Sequence, residues 1–444
     1  MGYSSRAENQ ETKTVVKYLY TLLFSLSIIL INPWGLSRGE IWTQPKVFVV
    51  LLIGLLNLFV LWKDRFILTI PRSWFISRLL WELFLGIGLL STLQSPFPLR
   101  SLFGQEQMGD GWLYWLIIAV FTLSNTLLLR LYPELLRSQL NGLLIGGVIV
   151  AISIFPQVID WRIDYTATMG QLLQENVLAS TIFQNQQPIG LYSHRGHAAF
   201  VLAATGVLSL VGWRWGLLSF QVMQAVVIPI VAALLLTQTR MGIVAILVAT
   251  AYLLGRKYYK LLVLAALVCL LVVGIATSTR QLNNLPLIKQ ITSDRVWLWE
   301  LASRGIRERP LLGWGMDGFG TAYPYVVNPN WTPKKVVRLG NLSFDYFSRD
   351  GQLQTRSLPT TKAHNLILDT ILSVGFLGML SYLTLLGFCL WRVIQSPYRG
   401  IEAIALAYLV FTLTWFECAQ FTHIAWWSLS LTDITSQKRS PTSL

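Results

Sequence analysis

The stretch TKAHNLILDTILSVGFLG, Thr361 to Gly378, places His364 where a long polar segment returns to an apolar run. An imidazole with its ordinary pKa can take a proton from a hydroxyl near neutral pH. Asn365 beside it would orient a substrate or cap the helix that follows. Arg240, in TQTRMG, joins two apolar runs with almost no loop between them. A guanidinium pinned there either snorkels to lipid headgroups or presents a fixed donor fork that matches phosphate oxygens. Arg295, in SDRVWLWELASRGIRERPLLGWGMDGFG, falls in the first turn of an expected helix, where acids are electrostatically favoured. A cation in that place fits a binding role. A fourth group, GLYSHRGHAAFVLAA, holds His194, Arg195 and His197. Its H-x-x-H spacing offers two metal ligands but no nearby third, so a polar contribution to a site, or helix capping, fits better.

These residues need elements that hold them at one surface. The chain of 444 residues is 54% hydrophobic and 13% charged, so its apolar runs suit a bilayer rather than a water-soluble core. Backbone in hydrocarbon must be paired internally, and no alternating barrel strands are visible, so the runs predict helices. They lie near 18–33, 46–62, 74–93, 112–129, 139–158, 197–212, 219–238, 241–255, 261–277, 365–391, 401–418 and 422–432, the last being short. The polar N-terminus lacks a signal-peptide pattern, so the first helix is expected to stay as an anchor. Cys269, Cys389 and Cys418 lie in or beside apolar runs without zinc-ligand spacing and read as small core residues.

The formal charge of +14 divides between the sides of a membrane and does not mark nucleic-acid binding. With the N-terminus inside, seventeen Lys and Arg fall on inner segments and six on short outer ones, which predicts both termini on the cytoplasmic side. Residues 278–364 form one long outer loop with twelve Lys and Arg against six acids. That excess suits anionic headgroups or an anionic, phosphorylated substrate. An amphipathic helix is expected from about Ser293 or Asp294 to Pro310, lying at the membrane surface. Val296, Trp299 and Ser303 share one face and Trp297 and Leu301 an adjacent one, and Gly313 and Gly315 make a turn after it. Glu82, Asp369 and Glu417, in or near apolar runs, would suit the ion or proton path of a transporter. Asp369 is five residues past His364, so its side chain is not expected to face the imidazole directly.

Three motifs occur in order: the junction arginine of TQTRMG, the R-x-x-x-W helix leading to P-x-x-G-x-G-x-x-x-F (Arg295 to Phe319), and the histidine-asparagine of AHNLILDTILSVGFLG. Together they resemble the O-antigen ligase and O-antigen polymerase superfamily of bacterial membrane glycosyltransferases. The resemblance implies an all-α, GT-C-like polytopic fold of about twelve transmembrane helices with a large periplasmic loop. It divides the chain into helices over 1–277, the loop over 278–364, and helices with a tail over 365–444. It implies a multi-pass protein of the bacterial inner membrane whose site faces the periplasm. The implied reaction is inverting glycan transfer, without metal or cofactor, from an undecaprenyl diphosphate carrier to the hydroxyl of a lipid, polysaccharide or protein acceptor. By that resemblance Arg240 and Arg295 bind the diphosphate and His364 activates the acceptor hydroxyl or holds the reacting groups in line. Arg195, His197 and Asn365 are secondary candidates. Many relatives have E-x-G where this chain has Ser373-Val374-Gly375, and an asparagine-rich stretch where it has SHRGHAA, which leaves the acceptor open. Some members of the superfamily are described as bicarbonate transporters, so transport, and a non-catalytic role in polysaccharide assembly, stand as alternatives.

Overall fold

A computed structural model describes residues 2–66, 69–158, 188–255, 295–327, 335–348 and 350–432. The apolar runs within these residues close their own backbone hydrogen bonds as helices. They are α1 (Gly2–Ile29), α2 (Gln44–Lys63), α3 (Arg72–Leu93), α4 (Pro98–Phe103), α5 (Trp112–Leu131), α6 (Leu135–Val158), α7 (Arg195–Arg214), α8 (Phe220–Leu236) and α9 (Arg240–Leu254). There follow α10 (Val296–Glu308), α11 (Gly318–Val326), α12 (Leu366–Gln395), α13 (Glu402–Thr412) and α14 (Thr422–Leu429). Six helices of the described chain are long and apolar enough to cross a membrane, the first being α2 together with the π-helical turn Gly39–Thr43 before it. The apolar run at 261–277, and Ser293 and Asp294, lie outside the described residues. The final run forms only the eight-residue α14, about 12 Å long, too short to cross hydrocarbon alone. It is buried throughout and ends against the middle of α5, where Ser430 bonds Asn125 and Thr126.

One helix break organises the site. Gly375 interrupts α12 with φ +68° and ψ −175°. The turn that follows α10, residues 310–315, inserts into this break. Trp314 N–H donates to Leu372 O at 2.9 Å and Gly315 N–H to Ser373 O at 3.0 Å, while Phe376 N–H donates to Pro310 O at 2.8 Å. The turn therefore satisfies backbone groups that the break leaves without helical partners. Ser91 of α3 locks the joint, its hydroxyl accepting from Gly315 N–H at 3.0 Å and lying against the carbonyls of Leu312 and Ser373.

The amphipathic helix is present as α10, but its apolar face is not offered to a membrane surface. Leu298, Leu301, Ala302 and Gly305 are the buried positions, and they pack on α11 and α12. The expected stripe of Val296, Trp299 and Ser303 is only partly buried, because the helix docks on protein through the neighbouring face.

The segment after α11 also departs from a purely helical expectation. β1 (Lys335–Leu339), β2 (Ser343–Phe347) and β3 (Leu353–Ser357) form an antiparallel sheet in the order β1-β2-β3. Phe344 and Tyr346 alternate inward from β2 into a small core that includes Leu298, Trp314, Phe319 and Leu372. Arg100, from α4, donates to Gly340 O at 2.7 Å, and Asn341 donates to Glu106 at 2.6 Å, so the β1–β2 hairpin is tied to the loop after α4.

Candidate active site

Four residues between α13 and α14, Leu413 to Phe416, form the platform of the site. Arg295, at the start of α10, donates to Thr414 O and lies over the Trp415 ring, its guanidinium carbon 5.0 Å from the centroid. His364 meets the same indole edge-on at 5.3 Å and the Phe416 ring at 4.8 Å. Asn365 donates from Nδ2 to Leu413 O at 3.1 Å while its Oδ1 caps α12, accepting from Ile367 and Leu368 N–H. His194 packs on Trp415 with centroids 5.2 Å apart. The platform thus collects side chains from three chain segments that are far apart in sequence.

His364 is held in a demanding conformation. Its φ is +57°, in the left-handed region that a non-glycine residue seldom adopts. The peptides on either side are fixed. Asp369 accepts from Ala363 N–H at 2.7 Å and from Asn365 N–H at 3.4 Å, and Trp299 Nε1 donates to Ala363 O at 3.1 Å. The Asp369 carboxylate does not address the imidazole; it grips the backbone around it. The ring's Nδ1 lies 3.2 Å from Lys362 O. A carbonyl oxygen only accepts, so Nδ1 carries the hydrogen and Nε2 is left with its lone pair, the form a general base requires. Burial, and then the Arg295 charge, lower the His364 pKa to about 3, so the imidazole is neutral at physiological pH. Burial lowers Arg295 only to about 10, and it stays cationic.

Beneath His364 lies a buried ion network. Lys362 pairs with Asp110, and with Asp317 at 3.2 Å; Arg100 holds the other oxygen of Asp317 at 3.1 Å. Burial pulls the Lys362 ammonium down, but the two carboxylates more than offset it, so its pKa ends raised. Asp110, Asp317 and Lys362, with Asp369 and Glu417, line a cavity of about 30 Å³, room for water and not for a sugar. Glu417 accepts there from the hydroxyls of Tyr382, at 2.6 Å, and Tyr408. Among the described residues no group of three or more His, Cys, Asp or Glu could hold a metal ion.

The residues singled out by sequence separate into those at the platform and those away from it. Arg295, His364 and Asn365 converge on residues 413–416. Arg195 opens α7 next to His194 and acts on its imidazole through charge. Arg240 is exposed at the start of α9; Gly242, one turn into that helix, abuts Ala199 in the first turns of α7, so Arg240 lies at the same end of the bundle. His197 is sealed in the core, with Nδ1 3.3 Å from Ser193 Oγ and the Phe416 and Phe421 rings against it. The position facing the platform is His194. Glu82 is half-exposed and paired with Arg78 at 2.7 Å, outside any buried path. Trp415, the hub, was hidden inside an apolar run read as one span over 401–418. The signal was the polar interruption of TWFECAQF, where α13 in fact stops at Thr412.

Residues 224–383 match the family model described as O-antigen ligase. Over this segment the chain is similar to O-antigen ligases. No curated protein matches it. The ligase segment contains Arg240, Arg295 and His364 but neither His194 nor Trp415, so the platform that completes the site comes from outside it. The match suggests a role in glycan transfer, and the apolar helices fit a multi-pass membrane protein.

Proposed function

We propose that the chain transfers a glycan from undecaprenyl diphosphate to an acceptor hydroxyl at the periplasmic face of the bacterial inner membrane. The observation that carries this reading is the meeting of a cationic Arg295 and a neutral His364 on Trp415. In one in-line displacement the acceptor oxygen bonds to the anomeric carbon, and the bond from that carbon to the phosphate oxygen breaks. The electron pair leaves with undecaprenyl diphosphate, and the hydroxyl proton passes to His364 Nε2. Arg295, with Arg240 from the same end of the bundle, offsets the charge on the departing diphosphate, which lowers the barrier to bond breaking. A single displacement inverts the anomeric centre. The acceptor is a lipid, a polysaccharide chain or a protein, and these share the hydroxyl chemistry.

The test is reconstitution of the purified protein with an undecaprenyl diphosphate-linked glycan and a panel of acceptors, scoring release of undecaprenyl diphosphate. Wild type should release it, while His364→Ala and Arg295→Ala, checked for folding, should lose at least about 100-fold. Absence of release with every donor, alongside bicarbonate flux in the same liposomes, would overturn the reading in favour of transport.

A further inference from the structure

The SHRGHAA segment, Ser193 to Ala199, has no role in the chemistry described so far, yet it builds one wall of the platform. His194 is the N-cap of α7, and its Nδ1 accepts from Gly196 N–H at 3.0 Å. With Nδ1 committed as an acceptor, the hydrogen of the neutral ring sits on Nε2, on the opposite side. Burial, followed by the charges of Arg195, Arg38 and Arg295, lowers this imidazole to about 4, so it is uncharged at neutral pH. His364 has the reverse tautomer, its donor engaged at Nδ1 and its acceptor at Nε2. Trp415 therefore carries a cation, a fixed neutral donor and a fixed neutral acceptor around one ring.

Gly196 makes this arrangement possible. A Cβ at this position would fall 2.6 Å from Trp415 Cζ2 and 2.8 Å from Cε2, so any side chain there displaces the indole. The segment is thus shaped around Trp415 as well as capping a helix. Three arginines within electrostatic reach of His194 make this wall a place for an anion, while an uncharged imidazole adds a directional bond without adding charge.

We propose that His194 is a second diphosphate-binding residue, its Nε2–H donating to a phosphate oxygen of the leaving group beside Arg295. This rests on the glycan-transfer reading above. It assigns donor binding to His194 and proton removal to His364, with Trp415 setting their separation.

The experiment measures binding of undecaprenyl diphosphate, without glycan, to the full chain in nanodiscs, and then donor and acceptor KM and kcat in the transfer assay. His194→Ala removes both the cap and the donor. His194→Asn keeps a side-chain oxygen able to cap α7 but is too short to reproduce the far-side donor. Both variants are expected to weaken undecaprenyl diphosphate binding by about tenfold or more, the loss that follows removal of a hydrogen bond to a charged group. Donor KM should rise while acceptor KM and the acid limb of kcat/KM for the donor stay unchanged. Wild-type binding in both variants, recovery of it by His194→Asn alone, or a change confined to acceptor KM would overturn the proposal. Failure of wild type itself to bind undecaprenyl diphosphate would overturn the transfer reading together with it.

Discussion

His364 differs from a free histidine in a way that kinetics can read. Its pKa of about 3 follows from burial and from Arg295, so the free protein holds it unprotonated across the working range. The kcat/KM for the donor reports the free protein, and it should stay flat from pH 8 down to about 5 with no limb near the ordinary histidine pKa of about 6.5. Once the diphosphate is bound, its negative charge counters Arg295 and raises the imidazole, so the acid limb of kcat should appear at higher pH than that of kcat/KM. A histidine limb near 6.5 in kcat/KM would show that the ring is solvated and not held on Trp415. Stability carries the same sign. The unfolded chain binds a proton near 6.5 that the folded one refuses until about 3, so folding is favoured above 6.5 and loses ground as pH falls. His364 drew attention in the sequence as a titratable residue at the edge of an apolar run, and Arg295 as a cation in the first turn of an amphipathic helix, where acids are favoured. His194 was visible but overshadowed by its H-x-x-H partner, since spacing alone does not tell which of two histidines turns into the core. Trp415 was not legible, because tryptophan in an apolar run looks like any other span residue.

At the scale of elements, the glycine pattern of the two motifs proves to be one joint. The turn at 310–315 and the break at Gly375 are separate features in the sequence, and only the fold shows that each completes the other's hydrogen bonds. The helical runs were readable from hydropathy. The packed face of α10 was not, because its neighbours on α11 and α12 decide which of two adjacent faces is buried. The sheet escaped notice because β3 is exposed along its whole length and shows no alternation. The joint gives a direct test. Gly375 has backbone angles that only glycine adopts readily, and a Cβ there would lie 2.0 Å from Leu311 O. Gly375→Ala should lower unfolding stability in detergent by about 2 kcal/mol or more, from strain and clash together. Gly387, further along α12, has nothing within 4 Å of a built Cβ, and Gly387→Ala should be neutral or stabilise by up to about 1 kcal/mol. Equal melting temperatures for the two variants would mean that the break is not fixed by the turn.

For the molecule as a whole, the distribution of charge and the location of the site make linked demands. The platform, the ion network under His364 and the loop holding Arg38 all lie at one end of the bundle, while the opposite end carries the contacts of Arg214 with Leu253 O and of Trp215 with Arg399 O, at 3.1 Å. The excess of Lys and Arg on segments at that opposite end favours keeping it in the cytoplasm. If so, the platform meets the periplasm, where a lipid-linked glycan would have to be presented. Two exposed positions separate the ends: Leu36, before α2, on the platform side, and Phe66, after α2, on the other. The described cysteines Cys389 and Cys418 are both buried, which limits their background reaction. With a membrane-impermeant maleimide applied to spheroplasts, Leu36→Cys should label and Phe66→Cys should label only after the membrane is opened. The reverse pattern would turn His364 and Arg295 toward the cytoplasm. Transfer at the periplasmic face would then be overturned even with every contact at Trp415 intact.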